Sequence, residues 1–283
     1  MKYTSVVKTA FSICTFLSLL IGVLLLLNAR GIEKYARMID TGKQMLETVL
    51  TMELYEKRYL LHEDERALDE VKEKIRTLRK FVSTYEKSDI NSGTTGFFEF
   101  ALWEEAINLY ERLFDQFVLY HRAIEKNIAE IRNLENRILA VIFSKMNPER
   151  GIIALQEIRI HEKGYLIYRD TGPPDEAEKP FEDKRKEAVS HLLMWAQNDQ
   201  RIQELIGEDN QLFDQIVANY EGQDHTLLLL EKERSRIRDM ADSFSAEGNQ
   251  GLQMSHRRSS FLVVVLLLMW VIVGCAIVVT RAN

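Results

Sequence analysis

Two cysteines, four prolines and six histidines are few for a chain of 283 residues, and their placement narrows the chemistry further. Both cysteines, Cys14 and Cys275, lie inside uncharged apolar runs, so the long stretch between them can form no disulfide and no thiolate metal site. No histidines are spaced as H-x-x-x-H or H-E-x-x-H, and no phosphate-binding glycine loop or nucleophile–base pair stands out. No catalytic residue, metal or cofactor is therefore expected, and the chain does not read as an enzyme. Basic residues are outnumbered, 37 against 43 acidic ones, for a net charge of −6. With Lys2, Lys8, Arg30 and Arg281 set aside at the ends of the apolar runs, the remainder is more acidic still. Such a surface is a poor match for nucleic acid. The four prolines, Pro148, Pro173, Pro174 and Pro180, mark only two places where a helix would have to break.

What the chain does have is two long apolar runs. Thr9 to Leu27 and Ser259 to Thr280 carry no charge, and about 20 residues suffice for a helix to cross a hydrocarbon core roughly 30 Å thick. Transmembrane helices are expected over 9–28 and 259–280, flanking an extracytoplasmic domain over 29–258. A cleaved signal peptide is the alternative for the first run. However, Leu27-Asn28-Ala29 lacks the small residue usual two positions before a cleavage-site alanine. Arg30, Lys34, Arg37, Arg257 and Arg258 flank the large segment, so a positive-inside count points against placing it outside. Long domains translocate largely regardless of charge, and the reading kept here has the short ends inside.

Between the runs, apolar residues recur at three- and four-residue steps with no sustained alternation, which predicts an all-α domain. Helices are expected over about 32–62, 67–87, 97–146, 148–169, 181–197 and 210–258. The breaks between them are Ser88-Asp-Ile-Asn-Ser-Gly-Thr-Thr-Gly96 and Thr171 to Pro180. The third and sixth are about twice the length of the others. That predicts two stacked four-helix bundles sharing the two long helices: a proximal module of about 32–122 plus 231–258, and a distal one of about 123–230. An internal repeat agrees. EKRYLLHED (56–64) returns as EKGYLIYRD (162–170), and LFDQFV (113–118) as LFDQIV (212–217).

Two flanking spans, six helices of which two are long, and E-K-x-Y-L on an early helix of each half resemble the helical bimodular sensor domain of bacterial transmembrane chemoreceptors and sensor kinases. The resemblance covers essentially the whole chain. It implies a homodimer in the bacterial inner (cytoplasmic) membrane, with a periplasmic domain that binds a small organic acid. Signalling to chemotaxis or kinase modules would follow. This chain departs from that pattern after the second span, where no HAMP linker, methylated coiled coil or kinase follows. The expected cytoplasmic signalling module would then belong to another protein or be missing from this polypeptide. The competing class is a membrane-anchored helical scaffold that binds a partner protein and no small ligand.

Charges placed on apolar seams supply the candidate site residues, because a charge on a packed seam is costly unless paired. Glu53 and Glu56 share the seam of Ile39, Leu46, Val49 and Leu60. Counting equal heights along helices of fixed rise brings Arg234 to them, with His121 nearby, as a structural ion pair. In the distal half Arg159, Glu162 and Tyr165 on the fourth helix, Arg185 on the fifth and Tyr220 on the sixth form the expected ligand site. Two inward guanidiniums with tyrosine hydroxyls suit a carboxylate. The bland alternative is that both arginines reach the surface or neutralise Glu162 and Glu135. The Trp103, Phe97, Phe98 and Phe100 cluster is expected to pack at the bundle base.

Overall fold

Three- and four-residue spacing of apolar side chains becomes six α-helices, with no strand among the described residues. They are α1 Lys2–His62, α2 Glu65–Ser92, α3 Phe100–Phe143, α4 Pro148–Thr171, α5 Glu178–Ala196 and α6 Gln200–Ala282. The computed structural model describes residues 2–62, 64–92, 100–171, 178–197 and 199–282. Phe97, Phe98 and most of the turn expected over 171–180 fall outside these. Pro148 sits in the first turn of α4, where its missing N–H costs nothing. Ahead of it α3 closes through tight turns, Ser144 N to Val141 O at 3.1 Å and Lys145 N to Ile142 O at 3.0 Å, and Asn147 takes φ 60°.

Between the apolar runs, two helix ends differ from expectation by more than three residues. Ser88 to Ser92, read as loop from its polar composition, continue α2. The last helix starts ten residues early, at Gln200 instead of Asn210, because Asp199 caps it: its Oδ1 accepts from Ile202 N at 3.1 Å. The charged, glycine-containing stretch that follows is helical because Ile202, Leu205 and Ile206 bury their side chains.

The chain divides into two compact units. The first holds residues 1–111 and 231–283. Met45, Val49, Met52 and Tyr59 of α1, Val71, Ile75 and Leu78 of α2, Trp103, Ile107 and Tyr110 of α3, and Ile237, Ala241 and Phe244 of α6 form its core. Backbones of α1 and α6 approach closely. A Cβ on Gly42 would stand 3.0 Å from the Ala241 carbonyl oxygen, and one on Gly248 would stand 3.0 Å from Met38 Cβ. In α1 and α6 the apolar runs are long enough to cross a membrane, and their side chains are largely exposed. Where the runs meet the rest of the unit, Asn28 donates to Ser255 O at 2.7 Å and to Ser259 Oγ at 2.5 Å.

The second unit is residues 112–230. Its first boundary falls eleven residues before the expected one, in the middle of α3, where a continuous helix leaves no break to read. Two apolar clusters form its interior. One gathers Leu134, Ile138, Ile158, Val189, Leu192 and Ile206, and the other Ile124, Ile131, Tyr165, Phe213 and Ile216. Along α4, α5 and α6 the charged residues Glu162, Arg185 and Asp209 fall between members of the first cluster and members of the second.

Burial follows the internal repeat position by position. Met45, Val49, Met52, Glu56 and Tyr59 are buried, and so are their counterparts 106 residues on, Gly151, Leu155, Ile158, Glu162 and Tyr165. Trp103 and Ile107 correspond in the same way to Ile202 and Ile206, 99 residues on, and Ile131, Ile138 and Ile142 to Leu230, Ile237 and Ala241.

Candidate functional site

Arg185 is only 3% exposed, so all its donors must be met within the protein. Its Nε donates to Glu162 Oε1 at 2.7 Å, Nη2 to Asp209 Oδ2 at 2.6 Å and Nη1 to Asn210 Oδ1 at 2.8 Å. Its guanidinium lies 4.2 Å over the Phe213 ring. Two buried carboxylates facing one guanidinium cannot both ionise cheaply. Burial, then the charge of Asp209, pushes the Glu162 carboxyl up to about 8 against the pull of Arg185. Burial raises Asp209 as well, while Arg185 and a hydrogen bond from Glu162 oppose the rise.

The other expected residues surround this centre. Tyr165 is fully buried, edge-on to Phe213 at 5.4 Å and to Tyr220 at 6.3 Å. Arg169 stands over the Tyr220 ring and pairs with Asp224. Arg159 turns to Glu135, at 2.9 Å, and burial raises the Glu135 carboxyl despite that partner. Each guanidinium thus has a carboxylate of its own, and the two do not share one. A groove of about 540 Å³ opens between α5 and α6, bordered by Arg185, Lys186, Ser190, Asn210 and Phe213 among others. Asp209 was absent from the sequence reading because it lies in the stretch taken as a connection, and Asn210 was read only as the start of the last helix. The repeat could have found Asp209, since it corresponds to Tyr110, a residue on the apolar seam of α3.

In the first unit Arg234 Nη1 donates to Glu56 Oε2 at 2.6 Å, and its Nε lies 3.8 Å from Glu53 Oε2. Glu53 also accepts from Lys57 at 2.9 Å and from Arg238 at 3.2 Å. Burial pushes Glu56 up to about 7, whereas the Lys57 hydrogen bond leads in holding Glu53 below its usual value. His121, grouped with these residues from sequence, belongs to the second unit. There its Nδ1 is 3.4 Å from Gln223 Nε2, and its ring stacks on Phe117. Arg234→Ala is expected to cost the first unit about 3 kcal/mol, since it removes the guanidinium that hydrogen-bonds the buried Glu56 carboxyl. Hydrogen exchange of α1 amides would measure it, and an unchanged rate would remove the pair as a stabilising element.

The repeat relates these two centres with one reversal. Glu53 corresponds to Arg159, and Arg234 to Glu135. The pair Glu53–Arg234 of the first unit therefore recurs in the second as Arg159–Glu135, with the signs exchanged. After that exchange Glu162, the counterpart of Glu56, faces an acid where Glu56 faces an arginine. Arg185 from α5 supplies the cation that Glu162 would otherwise lack.

Against known proteins, the chain matches no family model, no curated protein and no solved structure.

Proposed function

We propose that the chain is a two-span sensory input module of the bacterial inner membrane, homodimeric, with its helical-bundle units on the periplasmic side. It takes up a small organic acid in the second unit. Binding displaces α6 and with it the second span, and a cytoplasmic signalling module supplied by another polypeptide reads that displacement. The observation that carries this reading is Arg185: a buried guanidinium in a polar layer, bordering an open groove. A ligand carboxylate entering the groove takes the place of Asn210 or Asp209 on the fork, since arginine binds carboxylates bidentately. With a third carboxyl brought to one guanidinium, one of the acids holds a proton, so binding strengthens as pH falls. Titrating the full chain in detergent with C2 to C6 organic acids at pH 6 and pH 8 tests this. The expected result is a rise in melting temperature with at least one acid, larger at pH 6. A shift with amines alone would overturn the organic-acid assignment. The scaffold reading draws on a different observation, the three guanidinium contacts already made by Arg185 within the protein. It requires that no small molecule of either sign shift the melting temperature.

A further inference from the structure

The groove beside Arg185 is polarised along its length. Arg185 meets Asp209 and Asn210 about as far along α5 from its end at Ala196 as they lie along α6 from its start at Gln200, so the two helices run antiparallel. Lower numbers on α5 therefore face higher numbers on α6. Lys186 of α5 and Asn210 of α6 border the groove at the level of Arg185. Four residues away on each helix, a rise of about 6 Å, Glu182 and Asp214 border it from its two sides. Glu221 stands beyond them on α6.

Among the described residues that line the groove, both cations thus sit at one level, and the acids sit one turn away and beyond. The charge of Arg185 is moreover shared by Glu162 and Asp209 behind it. A ligand with carboxylates alone would gain Lys186 and part of Arg185 while meeting the field of Glu182, Asp214 and Glu221. A ligand that also carries an ammonium group turns those acids from a penalty into an attraction. Between the two levels the buried Phe213 lines the groove, an apolar stretch that suits a short chain of methylene groups.

We infer that the groove takes a zwitterion, a short ω-amino acid whose carboxylate lies at Arg185 and Lys186 and whose ammonium lies between Glu182 and Asp214. This rests on the organic-acid reading above and narrows the ligand of that same groove. The spacing of the two levels sets the length. An α-amino acid carries its charges on adjacent carbons and reaches one level at a time. A chain with three methylene groups between carboxylate and ammonium comes close to one helical turn. Glu182 and Asp214 bound the groove from opposite helices, so an ammonium between them ties α5 to α6 at a level where Arg185 does not.

Butyrate, butylamine and 4-aminobutyrate share one carbon skeleton and separate the two ends. Calorimetric titration of each into the full chain in detergent, at pH 6 and low ionic strength, gives three affinities to compare. 4-Aminobutyrate is expected to bind about tenfold more tightly than either of the others. Glu182→Gln combined with Asp214→Asn is expected to bring the ratio of the 4-aminobutyrate and butyrate affinities close to one, a ratio that a general loss of stability does not move. Equal binding of butyrate and 4-aminobutyrate by the parent would overturn the ammonium end and leave the organic-acid assignment standing. Butylamine binding as tightly as 4-aminobutyrate, with no binding of butyrate, would overturn that assignment as well. A ratio unchanged in the double variant would overturn the placing of the ammonium between Glu182 and Asp214. Binding of a plain C2 to C6 acid but of none of these three would overturn the zwitterion alone, and binding of nothing would overturn both readings.

Discussion

Arg185→Met is expected to destabilise the second unit by about 3–5 kcal/mol at pH 8, and by clearly less at pH 5. Methionine fills much of the same volume and can lie on the Phe213 ring, so lost packing is a minor part of the change. What it removes is the one cation, among the described residues, paired with Glu162 and Asp209. At pH 8 the variant must either keep buried charge without a partner or take up protons against the solvent pH. At pH 5 the parent protein already holds Glu162 protonated, because its carboxyl is pushed up to about 8. Less charge is then stranded. Hydrogen exchange of α5 amides at the two pH values measures the difference within this unit. An equal loss at both would show that the two carboxylates carry the same charge across the range.

The second large effect has no loss of side-chain volume. The folded pKa of Glu162 lies above its ordinary value of 4.5, so the folded form binds more protons than the unfolded form between about 4.5 and about 8. The resulting stability is fully present below about 4.5 and is lost as pH rises through about 8. Glu56 acts in the same direction in the first unit, over a window that closes near 7. Glu162→Gln keeps the acceptor for Arg185 and cannot ionise. It is expected to flatten the pH dependence of α4 and α5 exchange and to exceed the parent at pH 9 by on the order of a few kcal/mol. The α1 amides of the first unit should keep their own slope. A variant less stable than the parent at pH 9 would contradict the direction of the Glu162 shift.

Much of this was legible before any coordinates. Helices are written in the three- and four-residue steps, and Pro148 marks the start of α4, whereas Pro180, read as part of a turn, lies in the first turn of α5. Counting height along helices of fixed rise placed Arg234 beside Glu56, because rise per residue is a backbone constant and needs no knowledge of packing. The repeat located the second buried glutamate, Glu162. Legibility ended where charge and helix conflict. Gln200 to Asp209 reads as polar connection, yet a single capping aspartate and three buried aliphatic residues make it helix. Asp209 was lost with it, and with it the second acid on the Arg185 fork. Arg159 suggested an anion site from its type alone. The alternative weighed beside it, that the two arginines neutralise Glu162 and Glu135, describes the ion pairs the structure has.

The exchanged signs of Glu53–Arg234 and Arg159–Glu135 bear on how a duplicated chain folds at all. Two halves with matching burial patterns invite mispairing, a common failure of repeat proteins in which a helix docks into its duplicate's place. Were α1 to dock where α4 belongs, Glu53 would meet Glu135. Were α4 to take the place of α1, Arg159 would meet Arg234. Apolar seams tell these assemblies apart only where size differs, as between Met45 and Gly151 or Trp103 and Ile202. Like charges at these half-buried contacts add a penalty that does not depend on size. The reversal thus penalises an exchange of α1 and α4, an address written in charge where the two halves otherwise share their burial pattern.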